Sequence, residues 1–98
     1  MIRLSPGAEG NLDALLAHYE ERGRPEATAG LLAAIKGASA RIERTPDVGL
    51  PAPRPYPSLA GDGRRWIKEG AYWIAYSTTE PPVILGVFYE TADIPRRV

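Results

Sequence analysis

The sequence predicts an α+β domain, with a helical hairpin packed on one face of a small, mainly antiparallel sheet in the order β-α-α-β-β-β. Three observations predict it. Two stretches in the first half, opened by Pro6 and Pro25, repeat apolar residues at helical spacing. Three runs in the second half are rich in β-branched and aromatic residues, and Gly70 and Thr79-Glu80-Pro81-Pro82 punctuate them. A pair of helices followed by a meander puts the helices on one sheet face. The other face is then expected to be partly open and to carry the function.

Each element has its own cause. Ile2-Arg3-Leu4 alternates apolar and charged residues, as a strand with one buried face does. Ser5 can cap the free N–H groups of a helix that Pro6 opens, because proline's missing N–H costs nothing at the first position. Glu9 and Asp13 favour its early turns, and Leu12, Leu15, Leu16 and Tyr19 make its apolar stripe. Gly23 can close it in a left-handed cap. Pro25 opens the second helix, with Leu31, Ile35, Ala38 and Ile42 as its stripe. Gly30, Ala34 and Gly37 form a face of small residues. A helical glycine costs about 1 kcal/mol relative to alanine, so this face is expected to let the first helix approach closely.

Thr45-Pro46 ends the second helix. Pro46, Pro51, Pro53, Pro55 and Pro57 then hold an extended connector, read as a stiff strap across the fold rather than a ligand for a proline-binding domain. Strands are expected over Arg64 to Lys68, Tyr72 to Ser77 and Val83 to Tyr89. The last is nearly all apolar and should be central and covered on both faces. The tail, Thr91 to Val98, is polar and ends near Arg96-Arg97.

Composition bounds the rest. The chain has 98 residues, 44% of them hydrophobic, which suits one domain spanning 1–98 with one core. It has no cysteine and one histidine, which leaves no sulfur or histidine cluster for a metal. No metal or cofactor is expected. No apolar run approaches the roughly 20 residues of a membrane span, and the N-terminus lacks a long apolar leader, so a cytoplasmic location is expected. The formal net charge is zero, which argues against a chain drawn to nucleic acid by its overall field.

Taken in order, these residues resemble a family. Leu4-Ser5-Pro6 running into Leu12, Leu16 and Tyr19 is similar to the opening strand and first helix of the RelE/ParE toxins of bacterial type II toxin–antitoxin systems. Ile42-Glu43-Arg44-Thr45-Pro46-Asp47-Val48-Gly49-Leu50-Pro51 resembles that family's helix-end signature. Arg64 to Tyr76 resembles its Arg-rich strand, turn and Tyr-ending strand, and Val83 to Phe88 with Ala92-Asp93-Ile94-Pro95-Arg96-Arg97 its last strand and closing tail. The helical hairpin, proline strap and Ile-Pro tail look most like the ParE branch. Tyr89-Glu90-Thr91-Ala92 stands where many ParE-like members carry His-Gly-x-Arg.

The resemblance implies a toxin neutralised by a cognate, ParD-like antitoxin in a heteromeric complex. It implies DNA gyrase as target for the ParE branch and ribosome-dependent mRNA cleavage for the RelE branch. A degenerate member that only binds its antitoxin is a third expectation. No direct DNA binding is expected from the toxin alone. Leu12, Leu16, Tyr19 and Leu32 are the expected antitoxin contacts. Arg64, Arg65, Asp93, Ile94, Pro95, Arg96 and Arg97 are the expected target contacts. A nuclease would draw on Arg64, Lys68, Tyr76 and Tyr89, because metal-free RNA cleavage needs a base, an acid and cations in one place. Arg64, Arg65 and Lys68 read equally well as a solvated strand edge. His18 has no orienting partner in sequence and is read as structural or exposed. Asp62 and Glu69 are read as solvated turn residues, and Trp66 and Trp73 as core residues rather than base-stacking platforms.

Overall fold

A computed structural model describes residues 2–97. The order is β1 (Arg3–Leu4), α1 (Pro6–Glu21), α2 (Pro25–Arg44), a 3-10 turn (Pro57–Leu59), β2 (Arg64–Glu69), β3 (Tyr72–Ser77), β4 (Val83–Tyr89) and α3 (Ile94–Arg97). The sheet runs β1-β4-β3-β2. β2, β3 and β4 form the antiparallel meander, and β1 joins β4 in parallel through Arg3↔Val83 and Leu4↔Ile84. The β-α-α-β-β-β architecture is the one the sequence predicts.

Local signals set the boundaries. Ser5 Oγ accepts the Ala8 N–H at 3.1 Å, and Pro6 follows it. Gly23 adopts φ +60°, a left-handed conformation that costs glycine little, and lets the chain turn from α1 into α2. α2 stops at Thr45, one residue before Pro46.

One core lies between the helices and the sheet. Leu31, Ile35, Ala38 and Ile42 of α2 and Ala8 and Tyr19 of α1 bury against Ile67, Ile74, Tyr76, Ile84 and Val87, with Leu12, Leu15 and Leu16 half-buried at its edge. The small-residue face of α2 differs from the expectation: it does not serve α1. Gly37 and Ala34 lie against Glu69 and Gly70 of the β2–β3 hairpin, and Gly30 faces open space. Close approach is used where α2 crosses the sheet, and there Arg41 donates to the Glu69 carboxylate at 2.7 Å and to the Lys68 carbonyl at 3.2 Å.

The second sheet face departs from expectation more sharply. It is covered, not open. Trp66, Trp73, Ala75 and Phe88 form a second core with Ile94 of α3, and Leu50, Tyr56 and Leu59 of the proline-rich connector pack over them. Pro53 of the strap is itself fully buried. Leu50 and Trp66 exchange two backbone hydrogen bonds of 2.7 Å, which makes the connector's first turn a short extension of the sheet. Arg54 and Arg64 lie over the Trp73 and Trp66 rings at 5.2 and 5.4 Å. β3 and β4 are therefore apolar on both faces, and the two tryptophans are core residues, as read from the sequence.

Candidate functional site

With the sheet face closed, a cleft lies at the end of the sandwich, where the helical hairpin and the sheet part. It has a volume of about 640 Å³ and runs between α1, the first turns of α2, the β2–β3 turn and the end of β4. Small side chains make the room: Ala14, Ala27, Gly30, Gly70, Ala71 and Ala92 all line it.

Its floor is aromatic. The Tyr19 and Tyr72 hydroxyls share a buried hydrogen bond of 2.5 Å, and the half-exposed Tyr89 ring meets Tyr72 edge-on at 5.7 Å. Burial, then the hydrogen bond to Tyr19, pushes the Tyr72 hydroxyl well above the ordinary tyrosine range, so it stays a neutral phenol. His18, Arg24 and Arg97 stand at the rim, and no Asp or Glu is among the lining residues. Arg24 also pairs with the exposed Glu26 at 3.2 Å.

The cleft also meets a sheet edge. β1 covers β4 only at Val83 and Ile84. Past that point Asn11 Oδ1 of α1 accepts the Val87 N–H at 3.2 Å, standing where a neighbouring strand's carbonyl would be. Next to this cleft, Leu16, Tyr19, Gly23, Pro25 and Thr28 line a shallower hollow of about 430 Å³ at the mouth of the hairpin.

The cationic and phenolic residues named for a nuclease do not converge. The Arg64 guanidinium donates to the Leu59 carbonyl and covers Trp66. Arg65, on the opposite face of β2, donates to the Gly49 carbonyl at 3.0 Å. Lys68 pairs with Glu90 at 2.8 Å. Tyr76 is fully buried in the helix-side core; its hydroxyl accepts the Gly49 N–H at 2.9 Å and donates to the Pro46 carbonyl at 2.8 Å. Tyr89 lies at the other end of the strands, in the cleft.

The remaining candidates are placed as follows. Leu12 is half-buried, Leu16 and Tyr19 line the hairpin hollow, and Leu32 is 49% exposed. In the tail, Asp93, Pro95, Arg96 and Arg97 are exposed, whereas Ile94 is buried against the second core. Asp93 and Arg96 form an ion pair of 3.1 Å.

Sequence reasoning missed the cleft. His18 and Arg24 gave no pattern, and Tyr72 read as one more apolar strand residue. Among the described residues no cluster of His, Asp or Glu has the makings of a metal site, and no helix is long and apolar enough to cross a membrane. No protein-family model matches the chain, and no curated protein does.

Proposed function

We propose that this chain is the toxin of a type II toxin–antitoxin pair of the RelE/ParE kind, a cytoplasmic protein that acts by binding a target protein rather than by cutting RNA. DNA gyrase is the target that the ParE-like features favour. A cognate ParD-like antitoxin holds it inactive by covering Leu16 and Tyr19 at the hairpin hollow, with the half-buried Leu12 and the exposed Leu32 beside it.

One observation carries the preference for binding over catalysis. Arg64, Arg65, Lys68 and Tyr76 are each engaged by a carbonyl, a carboxylate or a backbone N–H of the fold. General acid–base cleavage needs groups free to meet the scissile phosphate together, and Tyr89 lies in the cleft at the end of the strands away from Arg64, Arg65 and Tyr76, where Lys68 is held by Glu90. The element order and the collinear sequence resemblance support the family assignment.

The test is to induce the chain alone in a bacterial host and examine plasmid topology and total mRNA together. Growth arrest with gyrase-linked DNA breaks and intact mRNA is the expected result. Cleaved mRNA with normal topology overturns the proposal in favour of a nuclease. Healthy growth at good folded expression overturns toxicity and leaves a degenerate, antitoxin-binding member.

A further inference from the structure

We infer that the cleft is a binding site for a small aromatic carboxylate. Its anionic oxygens accept the unshared proton of the Tyr19–Tyr72 hydroxyl pair and meet Arg24, and its rings lie along the apolar wall beside Tyr89. Three independent features support this.

The first is a count of protons. Tyr19 and Tyr72 are 6% and 4% exposed, and their hydroxyls meet at 2.5 Å. Two phenols bring two protons. One lies between the two oxygens, and the other has no acceptor among the described residues. A buried donor without a partner is costly, so it favours a ligand that brings an acceptor. The bond between the phenols also polarises the outer O–H and strengthens it as a donor. Burial, then the bond to Tyr19, keeps Tyr72 a neutral phenol, so the proton is there to give.

The second is the sign of the charge. His18, Arg24 and Arg97 stand at the rim, and no carboxylate lines the cleft. The Arg24 charge reaches the Tyr72 hydroxyl, where it opposes the effect of burial. An anionic oxygen accepting from the phenol pair gains that guanidinium as well. Arg24 Nε is already held by Glu26 at 3.2 Å, which offsets part of its charge. A singly charged carboxylate matches what remains better than a phosphate with nearly two charges.

The third is shape. The cleft's 640 Å³ lies within the roughly 300–1,000 Å³ of small-molecule sites. Ala14, Leu15 and Tyr89 carry apolar surface away from the hydroxyls. Tyr89 is 39% exposed, so a flat ring can reach it in the offset or edge-on contact that aromatic pairs favour. A cationic ligand fits neither the rim nor the buried donor.

This site does not depend on the chain being a toxin. A chain that arrests no growth still takes the ligand, and a chain that does arrest growth can fail to take it.

The probe is naphthoate, titrated calorimetrically into the whole chain at neutral pH beside the neutral naphthamide and the cationic naphthylmethylamine. Saturable binding is expected for naphthoate, weaker by about tenfold or more for the amide and absent for the amine. Arg24→Gln should weaken naphthoate by a similar factor, whereas Arg22→Gln, outside the cleft, should leave it unchanged. The tyrosines give the test that a merely apolar pocket fails. Tyr19→Phe and Tyr72→Phe each leave one hydroxyl, whose proton is then free for the ligand, so each single variant should keep most of the affinity. The double variant has no donor and should lose about tenfold or more. Removing both partners of a hydrogen bond together is nearly neutral for folding, and an unchanged melting transition checks this. No saturable binding, an amide or amine that binds as well as naphthoate, indifference to Arg24→Gln, a double variant that binds like the parent, or single variants as weak as the double each overturns the assignment.

Discussion

Replacing Tyr76 with phenylalanine removes one oxygen from the middle of the fold. That oxygen joins three segments: it sits on β3, accepts the Gly49 N–H at 2.9 Å and donates to the Pro46 carbonyl at 2.8 Å. The two partners differ in what they lose. Pro46 is exposed, so its carbonyl has water available. Gly49 is buried, and a Cβ built there would fall 2.7 Å from the Tyr76 hydroxyl and 2.9 Å from the Arg65 Cβ, so nothing else fits against it. Its N–H is stranded in the Tyr76→Phe protein. A buried donor left without a partner costs roughly 1–3 kcal/mol, against a total stability of about 5–15 kcal/mol for a domain. At about 4–8 °C per kcal/mol for a domain of this size, the melting temperature should fall by roughly 8–16 °C if the loss is about 2 kcal/mol. Urea unfolding measures the loss, and amide exchange localises it: Gly49 and the neighbouring Leu50 should lose protection before the helices do. A change within about 0.5 kcal/mol, the ordinary spread of neutral substitutions, together with a protected Gly49 amide, would refute the assignment of this hydroxyl to the strap. The same variant separates function from folding. If the phenol were catalytic, toxicity per folded molecule would vanish; as a structural tie, it is expected to leave toxicity intact at temperatures where the variant stays folded.

Two further outcomes follow from the helices and the cleft floor. Gly30→Ala should stabilise by about 0.5–1 kcal/mol, since a Cβ there meets nothing within 4 Å and alanine is the better helix former. Gly37→Ala should gain less or lose, because its Cβ would lie 2.7 Å from the Glu69 carboxylate that Arg41 holds, and urea midpoints compare the two. Stability should also fall with alkali. The folded state holds the Tyr72 hydroxyl above its ordinary 10.0, so below that value the protonated phenol's contribution is complete. As the pH rises past it, the unfolded chain ionises first and the contribution is lost on the way to the folded value. Urea midpoints should hold between neutrality and the ordinary value of 10.0, drop above it in the parent and drop less in Tyr72→Phe.

The helices and strands were legible because their punctuation is chemical and local. Ser5-Pro6, Gly23, Pro25 and Thr45-Pro46 mark the helix ends, and Gly70 the β2–β3 turn. The covered second face was less legible, yet its signal was present. Trp66 alternates with Ile67, and Trp73 and Ala75 with Ile74 and Tyr76, so β3 and the centre of β2 are apolar in both directions, a pattern the sequence also gives for β4. What no local rule supplies is which distant groups meet. The Tyr19–Tyr72 hydroxyl pair joins residues 53 apart, and Asn11 reaches Val87 across 76. The cleft exists because of what is missing from its walls. An absence of bulk at Ala27, Gly30 and Ala71 looks the same in sequence as tolerated small residues.

The pairing of β1 with β4 has a consequence for how the chain acquires its shape. Ser5 and Leu85 meet across 80 positions, so the outermost strand is placed only once nearly all of the sequence is available. α1, α2 and the β2–β3–β4 meander are built from nearby residues and can form early, whereas joining β1 must first close a long loop of chain. Until then the edge of β4 from Val83 onward is bare, and the first segment of the protein is free to find that edge on another molecule. Dilution and a slow rise out of denaturant should therefore favour the monomer, and crowded refolding should favour exchanged dimers linked through Arg3–Leu4.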